Sequence, residues 1–313
     1  MALHYASIVA YMCSSILIMW SNKQVLSIYN FPSTFALMII QSIITTFVFL
    51  VLHMFHKVKI QVLSYERLKY HLPLLAVTII NIFFGLIGAA SMPAAMFTAL
   101  RRVSILLCMY AQMHFLKQKL SATAVCSVWC TVIAASFASF HDFNFNAVSY
   151  LYVMLNNVFT AAQQILTQVS MRKKISKPTL VVYNAITITT VSVFGIIIKG
   201  EMTELYDFNL WYHGQFIIVI CLSCFMGLLI NYSVFWCIEQ NGALTLAVSG
   251  SIKNIVVGLL SCAGIFDNDY IFNWSNFIAL QFAALASLVY VYSKSVEIKR
   301  EELKTNVLNS YKS

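Results

Sequence analysis

Charged residues are scarce in this sequence. They make up only 10% of its 313 residues, whereas hydrophobic residues make up 60%. Soluble domains carry about 25% charged residues and far fewer long apolar runs. A chain of this composition could not hide its apolar surface in water, so a lipid bilayer is its natural solvent.

Catalytic and metal-binding motifs are also lacking. The sequence has no Walker phosphate loop, no nucleophile elbow and no zincin motif, so no motif indicates an enzyme. Its seven histidines are scattered, and the cysteines spaced for metal or redox chemistry lie inside apolar segments, where packing as small hydrophobes is the expected role. We therefore expect neither a metal nor a cofactor. The spaced cysteines are Cys126 with Cys130 and Cys221 with Cys224.

Long apolar segments fill almost the whole chain. Each has about the 20 residues that a spanning helix needs, the connections are short, and no soluble domain fits between them. We predict an all-α integral membrane protein in which residues 1–293 form a single ten-helix domain and residues 294–313 a tail. The first segment lacks a basic leader and a cleavage site, so we expect it to be retained. The segments are 5–28, 32–55, 72–91, 94–116, 121–140, 147–170, 178–199, 213–238, 242–265 and 272–293.

The charges are distributed unequally between the two sets of loops. With a cytosolic N-terminus, the cytosolic loops and tail hold fifteen of the twenty basic residues, whereas the opposite loops hold only Lys199 and six acidic residues. This pattern predicts that both termini are cytosolic, with an even number of helices. Although the net charge is +9, its placement indicates contact with lipid head groups rather than nucleic acid. The opposite-side acidic residues are Asp142, Glu201, Glu204, Asp207, Asp267 and Asp269.

Four basic residues remain inside apolar segments: Lys23, Arg101, Arg102 and Lys253. A charge at the bilayer centre costs at least about 2.5–3.5 kcal/mol on insertion scales. No acidic residue lies in the middle of a helix to pair with them, and Glu239, at a helix end, is the nearest candidate. Lys23 could instead reach the membrane surface, and one of the two arginines could bond to backbone carbonyls. Cations that face an internal cavity would indicate an anionic ligand such as phosphate.

The two halves of the chain have related patterns. Five helices in each half, residues 1–140 and 147–293, would give the halves opposite orientations, as in the inverted repeats of many transporters. The fourth and ninth segments then correspond, and each carries small residues before cations at mid-depth. Gly250 and Ser251 would let a ligand or a neighbouring helix approach Lys253 closely.

Motifs along the whole chain resemble those of nucleotide-sugar transporters of the drug/metabolite transporter superfamily. The similarity is greatest to the subfamily for UDP-glucuronic acid, UDP-N-acetylgalactosamine and UDP-N-acetylglucosamine. The most specific stretch is residues 96–106, MFTALRRVSIL. Others are NK at 22–23, LNNVFTAA at 155–162, YNA at 183–185, GSIKNI at 250–255, DYIF at 269–272 and SLVY at 287–290.

The resemblance implies ten helices in a Golgi or endoplasmic reticulum membrane. It also implies exchange of a cytosolic nucleotide sugar for a lumenal nucleoside monophosphate, with dimerisation left open. The GDP-mannose branch has a second asparagine where this chain has Ala185, which favours a UDP-sugar and hence UMP. The subfamily usually has aspartate in place of Asn157 and lysine in place of Gln168.

The candidate substrate-binding residues follow from these motifs. Lys253 and one of the arginines would bind the diphosphate, and Tyr183 and Asn184 would contact the base. Asn156, Asn157 and Gln168 would bind sugar hydroxyls or, equally, neighbouring helices. Two alternatives stay open: a transporter of another phosphorylated organic anion, and a transport-inactive scaffold of the same fold. The full set is Lys23, Arg101, Arg102, Asn156, Asn157, Gln168, Tyr183, Asn184, Gly250, Ser251, Lys253 and Asn254.

Overall fold

A computed structural model shows how these segments fold. It describes residues 2–61, 65–92, 96–97, 100–138, 146–173, 175–262, 278 and 281–297. Asp142, Asp267 and Asp269 lie outside the described residues, as do Thr98, Ala99 and most of the tail. The regular elements of the described residues are all helical, which confirms the predicted all-α class.

Eleven helices are named here in chain order. They are α1 (Ala2–Lys23), α2 (Thr34–Met54), α3 (Tyr65–Ala90), α4 (Val103–Phe115), α5 (Ala122–Ala138), α6 (Ala147–Arg172), α7 (Lys177–Lys199), the single-turn α8 (Met202–Tyr206), α9 (Gly214–Asn241) and α10 (Ala243–Cys262), and α11 (281–297).

Local chemistry sets several helix ends. The Ser33 hydroxyl caps α2 by accepting a hydrogen bond from the Ala36 amide at 3.0 Å, which satisfies one of the free N–H groups at a helix start. Pro178 occupies the first turn of α7, where its missing N–H has no helical partner to lose. The same helix ends at Gly200, whose φ of +69° forms a left-handed cap.

The described residues contain five helices that are long and apolar enough to cross a membrane. These candidate spans are Ala2–Ile28, Thr34–Met54, His71–Ala90, Lys177–Lys199 and Gly214–Asn241. Many large apolar side chains on them are exposed, for example Phe47, Phe194 and Ile218. Lipid is the solvent that such surfaces need, so the chain is a multi-pass membrane protein.

Two predicted segments contain breaks that the apolar pattern did not reveal. Residues 24–28 continue α1 as a π-helical turn, so Lys23 lies where the helix type changes. The fourth segment, predicted as 94–116, contains a turn at Arg101 and Arg102, and α4 begins only at Val103. The predicted location of both arginines inside a regular helix is therefore corrected: they immediately precede the helix.

The chain divides into two compact units. The first, which we call the cationic unit, comprises residues 1–9, 84–165 and 240–313, and the second, the amide unit, comprises residues 10–83 and 166–239. Each unit draws helices from both halves of the sequence. The cationic unit contains α4, α5, α10 and α11, and the amide unit contains α2, α7 and α9.

In the cationic unit, α4 packs against both α5 and α10. Two hydroxyl pairs join this region to α11. Ser121, just before α5, pairs with Ser293 at 2.9 Å, and Thr131 of α5 pairs with Ser287 at 3.3 Å. Polar contacts of this kind hold helices together where lipid removes the hydrophobic driving force.

In the amide unit, α2 packs most closely against α7. Ser42 of α2 hydrogen-bonds Thr189 of α7 at 2.7 Å. Gly195 of α7 lies against Phe35 so closely that a Cβ atom there would be 2.5 Å from the ring. The contact is therefore possible only because Gly195 has no side chain.

Candidate functional site

The cationic unit brings Lys253 and Arg101 together. Lys253 is the eleventh residue of the twenty-residue α10, so it lies near the middle of that helix. It is half-buried, and Arg101 lies close enough for the two positive charges to repel. Like charges placed near each other repel, most strongly where one of them is partly buried. An anion bound beside them would lower this repulsion.

The two arginines have different environments. The Arg101 side chain is exposed, and its guanidinium lies 5.5 Å from the ring centroid of Phe97. Arg102 is only 6% exposed, and within the described part of the chain its Nε and Nη1 atoms have no hydrogen-bond partner. A buried guanidinium with two unused donors is costly unless something accepts from them. Arg102 is thus the arginine that most needs a ligand.

The backbone around Arg101 and Arg102 also favours the binding of an anion. The amides of Ser104 and Ile105 bond the carbonyls three residues before them, at 3.1 and 3.0 Å. This tight 3₁₀ spacing marks the start of α4, with Arg102 at its cap position. A helix start carries partial positive charge, which adds to the charge of the guanidinium beside it.

Asn157 lies next to the arginine turn. It is fully buried, and its Nδ2 donates to the Leu100 carbonyl at 2.9 Å. Its Oδ1 accepts no hydrogen bond from the described residues. Asn156 is also buried, and its amide lies against Gly85, where a Cβ atom would be 3.0 Å from Nδ2. Both asparagines belong to the cationic unit, and Asn157 supports the backbone that carries the arginines.

The small residues predicted beside Lys253 also lie on α10. Ser251 is buried and Gly250 is half-buried. Asn254 is helical, but its side chain lies outside the described residues.

The remaining predicted residues belong to the amide unit. Lys23 is half-buried at the end of α1, and Gln168 is 8% exposed near the end of α6. Gln168 is thus in a different unit from Asn156 and Asn157, although all three lie on α6.

Tyr183 and Asn184 meet two residues that the motifs did not identify. The Tyr183 ring lies edge-on to His71, with centroids 5.1 Å apart and planes at 78°. The Asn184 Nδ2 donates to Asn231 Oδ1 at 3.4 Å, and Asn231 in turn donates to the Gly227 carbonyl at 3.0 Å. We call these four residues, His71, Tyr183, Asn184 and Asn231, the amide cluster.

Sequence reasoning missed His71 and Asn231 for identifiable reasons. His71 stands at a membrane end, where polar residues are ordinary. Asn231 is a polar residue in an apolar helix, which could have marked it, but no motif gave it a role.

A second polar group joins α1, α2 and α9. Gln41 Nε2 donates to Asn22 Oδ1 at 2.8 Å and to Ser223 Oγ at 2.7 Å, and Ser223 donates to Asn22 at 2.7 Å. Because Asn22 precedes Lys23, this group fixes the helix end that presents the lysine.

Glu239 lies near the end of α9. Its carboxylate forms an ion pair with Lys177 at 2.7 Å, and Lys177 belongs to the predicted cytosolic set.

Known proteins resemble this chain over most of its length. No established family profile matches it. The UDP-sugar transporter sqv-7 of Caenorhabditis elegans is 31% identical, covering 95% of this chain and 92% of that protein. The UDP-sugar transporter UST74c of Drosophila melanogaster is 32% identical, covering 90% and 75%.

A human relative and a solved structure extend this likeness. The human nucleotide sugar transporter SLC35D2 is 32% identical, covering 89% of this chain and 82% of that protein. A crystal structure with 13% identity and a TM-score of 0.65 covers 93% of this chain and 99% of its own, and it supports the fold alone. Relatives above 30% identity over nearly the whole length establish that the chain belongs to the nucleotide-sugar transporter family.

Proposed function

We propose that this protein exchanges a UDP-sugar for UMP across the Golgi membrane, as a ten-helix inverted repeat with both termini in the cytosol. The observation that carries the proposal is Arg102, a buried guanidinium at a helix start whose Nε and Nη1 have no partner among the described residues. Its neighbour in the chain, Arg101, interacts electrostatically with Lys253. A diphosphate offers several charged acceptor oxygens and suits planar guanidinium donors. The names of relatives such as sqv-7 and UST74c favour uridine as the base.

Each part of the substrate has candidate partners. Arg102 and Lys253 bind the diphosphate, and Arg101 adds positive charge from its more exposed position. Tyr183 and Asn184 contact the base. Asn157 holds the arginine turn, and Asn156 and Asn157 offer amides to sugar hydroxyls. The remaining candidates, Lys23, Gln168, Gly250, Ser251 and Asn254, line the path or permit close approach.

Obligatory exchange follows from the charges. Without an anion, Arg101, Arg102 and Lys253 repel one another, and reorientation carries that repulsion through a low-dielectric region. A nucleotide sugar or a nucleotide offsets the charge and lowers the barrier. We therefore expect little efflux of preloaded nucleotide into nucleotide-free buffer.

Exchange uptake in proteoliposomes tests the proposal. Vesicles preloaded with UMP, GMP or buffer are given labelled UDP- and GDP-sugars, together with sugar phosphates for the alternative of another phosphorylated anion. We expect uptake of at least one UDP-sugar that requires internal UMP and is lost in Lys253→Ala. Lys119→Ala, which removes a lysine from a predicted cytosolic loop, is the matched control and should retain uptake.

Two outcomes would redirect the assignment. Uptake of a sugar phosphate alone would move the function to another phosphorylated anion. Failure to take up any compound, by protein shown to be folded, would favour the inactive scaffold, and Gln168→Lys would then be the first restoration to try.

A further inference from the structure

His71 is a buried histidine of the amide unit. It lies seven residues into α3 and begins the apolar span His71–Ala90. Its side chain is 1% exposed. The contact given for its ring is the edge-on packing against Tyr183, with centroids 5.1 Å apart.

Neither ring nitrogen of His71 has a hydrogen-bond partner among the residues that the structure describes. A neutral imidazole offers one donor and one acceptor, and burying both without partners opposes folding. His53, at the end of α2, is different: it is exposed, and its Nδ1 lies 2.9 Å from the Val58 carbonyl. His71 therefore retains hydrogen-bonding capacity that the described fold does not use.

His71 contacts Tyr183, and the next residue in the chain, Asn184, pairs with Asn231. Tyr183 contributes an aromatic ring and a hydroxyl. Asn184 and Asn231 contribute two amides, held together by a bond of 3.4 Å. This bond is longer than the usual 2.9–3.0 Å, so a better acceptor could replace it at little cost. Three helices, α3, α7 and α9, thus supply an imidazole, a phenol and two amides.

We propose that His71 hydrogen-bonds the nucleobase of the transported nucleotide and contributes to its selection. The inference rests on the proposed function. A nucleobase edge alternates donors and acceptors, as in uracil, where one N–H lies between two carbonyl oxygens. An imidazole can donate to one such carbonyl or accept from the N–H, and the Tyr183 ring offers an aromatic surface for the base. Phosphate is a poorer match because a neutral imidazole and amides supply no positive charge.

Competition assays with and without the base separate this role from a structural one. UDP-sugar uptake into UMP-loaded vesicles is inhibited by UMP or by ribose 5-phosphate, which keeps the sugar phosphate and lacks the base. In His71→Phe, which keeps an aromatic ring against Tyr183, we expect the inhibitory concentration of UMP to rise about tenfold, as for a lost buried hydrogen bond. The inhibitory concentration of ribose 5-phosphate should change less than about twofold.

Two further variants control the measurement. His71→Gln retains a donor and an acceptor and should recover part of the affinity for UMP. His114→Phe makes the same exchange at an exposed histidine and should leave both inhibitors unchanged. Melting temperatures in detergent should show that all three variants are folded.

The outcomes distinguish this inference from the proposed function. If His71→Phe shifts both inhibitors equally, or neither, His71 does not contact the base. If wild-type protein exchanges no nucleotide sugar at all, the proposed function fails, and this inference fails with it. If inhibition by GMP strengthens while that by UMP weakens, His71 selects uracil over guanine.

Discussion

The two adjacent arginines show how strongly burial distinguishes residues that look equivalent in sequence. Arg102 is buried and keeps unused donors, whereas Arg101 is exposed over the Phe97 ring. The motif at residues 96–106 marks both arginines as candidates and cannot rank them. The ranking depends on a turn that places successive side chains in different surroundings. Lys253 was easier to anticipate, since a lysine halfway along an apolar segment has no surface to reach.

Conservative substitutions should separate the two arginines. Arg102→Lys replaces a planar fork of donors by a point charge in a buried site. We expect the KM for the UDP-sugar to rise at least about tenfold, consistent with the loss of one charge-assisted bond. Arg101→Lys keeps the charge in an exposed position and should change KM less than about threefold. Equal effects of the two substitutions on exchange kinetics would contradict the assignment.

The amide cluster extends this point to residues without a motif. Tyr183 and Asn184 are indicated by the YN pair, but their neighbours come from helices far away in sequence. Asn231 contacts Asn184 across 47 positions, and His71 contacts Tyr183 from α3. Such partners depend on which helices pack together, and a single sequence does not contain that information.

At the scale of helices, the apolar pattern predicted where helical segments occur better than whether each segment is one continuous helix. Residues 94–116 read as one segment, because an arginine pair does not interrupt a 20-residue average of hydrophobicity. The structure interrupts it at Arg101 and Arg102. Residues 24–28 likewise continue the first segment in a different helical form. Breaks of both kinds are frequent at functional sites, and each here adjoins a predicted substrate-binding cation.

The contact between α2 and α7 gives a stability prediction. In Gly195→Ala the added methyl group would overlap the ring of Phe35, which is 8% exposed and has little room to move. We expect a loss of about 1–3 kcal/mol, as for other overpacked sites, measured as a lower melting temperature in detergent.

Two variants control this prediction. Gly214→Ala places the same methyl group where no neighbouring atom lies within 4 Å, so it should leave the melting temperature unchanged or slightly raise it. Combining Gly195→Ala with Phe35→Leu should recover part of the loss. A Gly195→Ala protein as stable as the wild type would show that α2 and α7 are less tightly packed.

At the scale of the whole molecule, the sequence predicts a membrane topology that residue accessibility can test. Tyr212 is 96% exposed in the loop between α7 and α9, and Lys57 is exposed beyond the end of α2. The positive-inside pattern assigns these two loops to opposite sides. In a chain whose eight native cysteines are replaced, Lys57→Cys should react with an impermeant maleimide once the plasma membrane is opened.

Tyr212→Cys should react only after the Golgi membrane is dissolved as well. Labelling of both positions under the milder condition would place the two loops on one side and contradict a ten-helix topology.

The bonds that join α2 to later helices bear on how the chain is synthesised. Ser42 hydrogen-bonds Thr189, which is 147 residues later in the chain, and Gln41 hydrogen-bonds Ser223, which is 182 residues later. At about 5–20 residues per second, a ribosome needs roughly 10–35 s to make the partner of Gln41 after Gln41 itself. During that interval the Gln41 amide of the nascent α2 has only the earlier of its two final partners, Asn22. The early helices therefore depend on the translocon, or on temporary neighbours, until the later ones arrive.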